Sequence, residues 1–217
     1  MYQDQMLIYI TRGQVEAAAA EESKSTVFYP PHQAVKNEKY GKAKWRIVFN
    51  SSSHETKAPS LNEVLEVERN FLHEIFAILL RFSLHPETIF SDIKQAFLQL
   101  ALDEKDRDLA RFFRYRITQD REEQYHTTEE VVDYSFTLLP FGLTCGPFLL
   151  SATLNEYADR HKVPFPTAEP HVGSNASMDD YAADAGNDNG AIAIYYELTT
   201  MMKLIVFPLA KWASNSE

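Results

Sequence analysis

Asp179 and Asp180 stand side by side in Asn175-Ala176-Ser177-Met178-Asp179-Asp180-Tyr181, behind small or apolar residues. Neighbouring carboxylates repel, and burying either without a partner is costly. A hard divalent cation such as Mg²⁺ resolves the conflict, because it takes carboxylate oxygens and keeps positions open for phosphate. The pair therefore reads as half of a metal site, with a solvated Asp-Asp turn as the plainer alternative. Asp92 offers the other half. It stands in Thr88-Ile89-Phe90-Ser91-Asp92-Ile93-Lys94-Gln95-Ala96-Phe97-Leu98-Gln99-Leu100, where a β-rich run delivers one acid at its end and then continues into an apolar segment. Two strands that bring these carboxylates to one edge of a sheet would assemble the three-acid site that two-metal phosphoryl and nucleotidyl transfer uses.

The elements that must hold these acids can be read from pattern. Before Asp92, the apolar positions Leu72, Ile75, Phe76, Leu79 and Leu80 recur at three and four, which predicts an amphipathic helix over Phe71 to Phe82, stopped by His85-Pro86. After it come a charged turn over Asp103 to Asp108, a strand over Arg111 to Ile117, and an acidic exposed hairpin or insertion over Gln119 to Glu130. Tyr134 to Leu138 alternates as a strand and ends at Leu139-Pro140-Phe141-Gly142; a helix then runs from about Pro147 to Arg160. Residues 162–175 read as irregular, with Pro164, Pro166 and Pro170. Behind the acidic pair, Ala191, Tyr195, Leu198, Met202 and Ile205 mark a helix capped by Asn187 or Asp188 and ended by Pro208. Toward the amino terminus, Met6 to Ile10 reads as a short strand and Val15 to Glu22 as helix-prone. Lys44 to Asn50 reads as a half-buried strand, with Trp45, Ile47 and Phe49 on one face and Arg46 on the other. Asn50 to Ser60 reads as a loop, and Ser60 or Asn62 as a cap for the segment after it.

Composition limits the function classes. With 217 residues and 45% hydrophobic content, the chain can form one large or two small compact units. Its apolar runs fall far short of the roughly 20 residues that a membrane span needs, and no secretory signal is visible, so an intracellular, non-membrane setting is expected. Cys145 is the only cysteine, which excludes an internal disulfide and a cysteine-rich zinc site. The formal charge of −10 weighs against nucleic-acid binding by the chain alone, apart from the basic run Lys36, Lys39, Lys42, Lys44 and Arg46. A calcium loop over Asp179 to Asn189 fails on spacing, since its first position would be Tyr181 or Ala185; no Gly-x-x-x-x-Gly-Lys stretch supports a P-loop.

Seven stretches, taken in order, resemble the polymerase core of reverse transcriptases, most closely that of LTR retrotransposons of the Pao (BEL/Pao) group. They are Tyr29-Pro30-Pro31-His32-Gln33-Ala34-Val35, Arg46-Ile47-Val48-Phe49-Asn50, Pro59-Ser60-Leu61-Asn62, Asp92-Ile93-Lys94-Gln95-Ala96-Phe97-Leu98-Gln99, Leu139-Pro140-Phe141-Gly142-Leu143-Thr144, Met178-Asp179-Asp180 and Lys211-Trp212-Ala213-Ser214-Asn215. The resemblance implies an α+β fingers-palm fold, its palm a small antiparallel sheet packed on helices, without a thumb. Residues 1–85 and 101–138 would form the fingers, and 86–100 and 139–217 the palm. It further implies RNA-directed DNA polymerisation, with two Mg²⁺ or Mn²⁺ ions held by Asp92, Asp179, Asp180 and the Ile93 carbonyl.

By the same resemblance Arg46 clamps the triphosphate, helped by one of Lys39, Lys42 or Lys44. Phe97 crowds the 2′ position of the incoming sugar, Gly142 lets backbone approach the nucleotide beside Phe141, and Lys211 serves as general acid to pyrophosphate. The implied partners are an RNA or DNA template with primer, dNTPs, and the rest of a polyprotein carrying thumb, RNase H and integrase, in the cytoplasm or in virus-like particles. Ser177 departs from the pattern, standing where the family usually has an aromatic, and the chain stops soon after Lys211. The alternative is a vestigial palm-fold protein that binds metal or nucleic acid without synthesis.

Overall fold

The computed structural model describes residues 2–18, 26–39, 42–67, 80, 82, 84–120, 122, 124–174, 176–177 and 180–216. In chain order its elements are helix α1 (Tyr2–Thr11), strands β1 (Val15–Ala17), β2 (His32–Lys39) and β3 (Lys42–Phe49), helix α2 (Leu61–Val64) and strand β4 (Glu87–Ile93). Strands β5 (Arg111–Gln119) and β6 (Tyr125–Phe136) follow, then helices α3 (Gly146–His161) and α4 (Glu169–Ser174). Strands β7 (Ala176–Ser177) and β8 (Asp180–Ala185), helix α5 (Asp188–Leu204) and strand β9 (Leu209–Ser214) complete the chain. The protein is thus mixed α/β with small antiparallel sheets. Among the described residues no helix is long and apolar enough to cross a membrane.

The chain divides into two compact units, Met1–Glu66 with Leu100–Thr144, and Val67–Gln99 with Cys145–Glu217. In the first unit β1, β6 and β5 form one sheet in that order, and β2 and β3 form a hairpin. Its core is aromatic. Phe49 of β3 meets Phe112 of β5 at 5.2 Å between ring centres and Phe136 of β6 at 4.9 Å, both edge to face. Such pairs add about 0.5–1.5 kcal/mol beyond the area they bury. Ser60 caps α2 through a full capping box with Glu63, as the loop-to-helix pattern predicts.

Two expectations near the amino terminus are corrected. Met6 to Ile10 lies in α1 rather than a strand, because Gly13 at φ +63° closes a helix end: the Gln14 amide donates to the Tyr9 carbonyl at 2.9 Å and the Gly13 amide to that of Ile10 at 3.0 Å. Val15 to Ala17 is strand, because pairing with Tyr134 to Phe136 outweighs local helix propensity; Ala19 to Glu22 lie outside the described residues. The charged stretch after Asp103 forms a 3₁₀ helix, Glu104–Ala110. The acidic stretch from Gln119 forms a hairpin end whose arms are β5 and β6.

In the second unit β4 is central, in the order β7, β8, β4, β9. Alternation buries Ile89, Ser91 and Ile93 of β4 and Tyr181, Ala183 and Ala185 of β8. The helices supply Leu150 and Leu154 from α3 and Leu198, Met201 and Met202 from α5, each at most 2% exposed; a fully buried side chain of this size is worth about 1.5–3 kcal/mol. The Tyr157 hydroxyl donates to the Met201 carbonyl at 2.8 Å, tying α3 to α5. Residues 169–174, expected to be irregular, form α4 because the Glu197 carboxylate of α5 accepts the Thr167 and Ala168 amides at 2.8 and 3.1 Å, just before its first turn. The helix expected over Phe71 to Phe82 lies almost wholly outside the described residues.

Candidate functional site

Asp92 is the last outward position of β4, and its direct partner on β8 is Asp180. Directly opposed residues of an antiparallel pair project from the same face, with Cβ atoms about 4.5–5.5 Å apart. The two carboxylates therefore share one rung on the face turned away from Ile89, Ile93, Tyr181 and Ala183. Like charges so placed destabilise a sheet, and a cation between them reverses the sign. β7 ends at Ser177, paired with Asp180, while Met178 and Asp179 lie outside the described residues. Among the described residues no three His, Cys, Asp or Glu side chains gather as a metal cluster, and Asp179 is not in that set.

Lys211 reaches this rung through an irregularity. Pairing between β4 and β9 runs Phe90 to Ala213 and then Asp92 to Ala210, so Lys211 and Trp212 together face the single residue Ser91. Lys211 adopts φ +55°, the left-handed conformation of a bulge residue. A regular strand would have set Lys211 opposite Ser91, which is wholly buried; the bulge instead turns its ammonium to the open face, where Nζ donates to Asp92 Oδ2. The lysine side chain is 74% exposed against 20% for Asp92. Asn215 fixes the far end of the strand pair, its Oδ1 accepting the Thr88 amide and its Nδ2 donating to the Pro86 carbonyl, both at 2.7 Å. Trp212 packs edge to face on Tyr195 of α5 at 4.7 Å.

Ile93 is 1% exposed and pairs with Leu209. Phe97 lies in a 3₁₀ turn, Ala96–Gln99, and is half-buried, so it is not part of the strand that carries Asp92. These residues, with the acids and Lys211, belong to the second unit; Arg46, Lys44, Phe141 and Gly142 belong to the first. Arg46 is exposed on β3 opposite Val35. Lys44 lies two residues before it on the same strand, and the side chains of Lys39, Lys42 and Lys44 are outside the described set.

Phe141 is 44% exposed beside Gly142, whose φ is +98° and whose missing Cβ would meet the Phe49 carbonyl oxygen at 3.1 Å. Glycine is required there by both conformation and space. Asn62 holds this turn in place: its Nδ2 donates to the Gly142 carbonyl at 2.9 Å and its Oδ1 accepts the Thr144 amide at 3.1 Å. Pattern reading offers Asn62 only as a helix cap, and nothing in the sequence alone says that it reaches residues some eighty positions away. Cys145 is half-buried, and burial raises its thiol pKa, which makes it a poor nucleophile. A scan of the chain against models of known protein families finds no match, and neither does a search among curated proteins.

Proposed function

We propose that this chain is the fingers-palm polymerase core of a reverse transcriptase of the Pao retrotransposon kind. The observation that carries the reading is the opposition of Asp92 and Asp180 on one open rung. Lys211 offsets the charge of Asp92 alone, and a divalent cation, which takes several carboxylate oxygens at once, is the partner that would join the facing acids into one site. Asp92, Asp179 and Asp180, with the Ile93 carbonyl, would hold Mg²⁺ or Mn²⁺, and two bound ions supply an acidified primer 3′-hydroxyl and a neutralised triphosphate.

The chain's own residues do the remaining work. Arg46 binds triphosphate oxygens through its planar fork, with Lys44 nearby on the same strand. Gly142 leaves room for backbone to approach the nucleotide, Phe141 flanks it, and Phe97 excludes the 2′-hydroxyl. Lys211 neutralises Asp92 in the metal-free protein; once the carboxylate is bound elsewhere, its ammonium is available to protonate pyrophosphate. Extension of oligo-dT on poly-rA with Mg²⁺ or Mn²⁺ tests the proposal, with the Asp180→Asn variant as control. A folded protein that binds metal yet makes no product would favour the vestigial reading.

A further inference from the structure

The β5 strand carries a cation that the polymerase reading leaves unused. Arg114 is only 7% exposed, and its buried Nη1 has no hydrogen-bond partner among the described residues. The arginines on either side are satisfied: Arg111 bonds Asp108 and Asp133, and Arg116 bonds Glu130 through both Nε and Nη2. Arg114 instead lies 5.6 Å from the centre of the Tyr2 ring, and the groups that bear on it electrostatically are the phenols Tyr2 and Tyr134 rather than carboxylates. Burial holds its pKa below the usual arginine value, and nearby His32 is depressed too, by burial first and by Arg114 second. A guanidinium largely taken out of water without a carboxylate is a costly arrangement, and an anion meeting the part of Arg114 that lines a groove offsets its charge.

The space for such an anion exists. Arg114 borders a groove of about 480 Å³ together with Tyr2, Gln3, Phe113, Tyr115 and Thr127, a volume within the usual range for small-molecule sites. β5 is the edge strand of its sheet, and its pairing with β6 is irregular between Tyr115 and Ile117, beside this groove. Phe113 and Tyr115 are each 54% exposed; Tyr29 stacks on one face of Phe113 at 4.5 Å between ring centres, so Tyr115 and the other face of Phe113 offer the flat apolar surface. Gln3 Nε2 donates to Thr127 Oγ1 at 2.7 Å, which leaves the Thr127 hydroxyl proton and the Gln3 carbonyl for a ligand.

We infer that this groove binds an aryl oxyanion: a carboxylate or phosphate group received by Arg114, with the attached ring lying against Tyr115 and Phe113. The anion gains charge-assisted hydrogen bonds in a water-poor setting, and the ring gains stacking area. Neither half of the ligand suffices alone.

Calorimetric titration of the full chain with phenyl phosphate, benzoate, phenol and inorganic phosphate tests this. One-to-one binding of phenyl phosphate or benzoate, roughly tenfold or more tighter than phenol or phosphate, is expected, and the stronger of the two identifies the oxyanion. Arg114→Met should weaken the aryl oxyanion roughly tenfold or more and leave phenol unchanged. Should that variant fail to fold, Tyr115→Ala, at an exposed position, and Thr127→Val carry the test, each expected to weaken binding severalfold. Affinity unaltered by these substitutions, or no preference for an aryl oxyanion over its separate halves, would overturn the inference. Preference for single-stranded oligo-dT over all four probes would overturn it as well, in favour of a strand-binding surface. No readout involves polymerisation, so failure here leaves the polymerase proposal standing.

Discussion

At Asp180, charge repulsion and the proposed metal affinity make opposite demands. Asp180→Asn removes a like charge directly across from Asp92, but Lys211 already pairs with Asp92 in the metal-free protein, so metal-free stability should change by less than about 1 kcal/mol. On the proposed metal site, Mn²⁺ should stabilise the native state, and the same substitution should abolish that stabilisation. Thermal unfolding with and without Mn²⁺ measures both effects, and an equal metal-dependent rise in variant and native protein would remove Asp180 from the site. Gly142 makes a separate demand, set by φ +98° and the 3.1 Å approach to the Phe49 carbonyl. Gly142→Ala should therefore cost about 1–3 kcal/mol, read as a lowered urea midpoint; an unchanged midpoint would mean that the turn has a second comfortable conformation. Lys211 lies in the left-handed region as a non-glycine residue, so Lys211→Gly relieves backbone strain while removing the ammonium from Asp92.

Among the elements, β2 gives the first unit a built-in acid sensitivity. His32 is stacked on Phe49 at 5.1 Å and edge-on to Phe112 at 5.3 Å, and burial depresses its pKa below the ordinary 6.5. The unfolded chain then binds the proton more readily than the folded one. Stability is therefore full above about pH 6.5 and falls as pH drops through and below that value. His171 of α4 shifts the same way through burial, with Asp184 opposing, so the second unit should weaken in the same window. Amide exchange in β2 and β3 at pH 7 and pH 5 checks this, with His32→Phe expected to flatten the change in the first unit. Elements whose own pattern decides them were legible in the sequence: the alternating β3, the acid-ended β4, and α3 and α5, the last capped by Asn187 as its sequence suggests. Elements decided by distant partners were not. A five-residue apolar run cannot by itself distinguish α1 from a strand, α4 depends on Glu197 from another helix, and the bulge at Lys211 exists only as a mismatch between β9 and β4. At the candidate site, residue types were legible while roles set by the tertiary fold, such as the reach of Asn62 and the burial of Arg114, were not.

For the whole molecule, charge limits how the proposed primer-template would be held. With 21 Lys and Arg against 31 Asp and Glu, the net is 21 − 31 = −10, and Arg46 with its neighbouring lysines forms the main basic stretch. Few phosphate contacts are available, so duplex affinity should be poor near physiological salt and recover as salt is lowered, with a shallow slope in log affinity against log salt. Titration of labelled primer-template at several salt concentrations measures that slope, and tight salt-insensitive binding would mean that another surface holds the duplex. The most direct test of the metal-dependent chemistry is primer extension at low salt, with native protein and Asp180→Asn compared on oligo-dT annealed to poly-rA in Mn²⁺. Native protein should lengthen the primer with dTTP while the variant yields no product above background; equal product from both, or none from native protein shown to bind both Mn²⁺ and primer-template, would contradict assignment of Asp92 and Asp180 to nucleotidyl transfer.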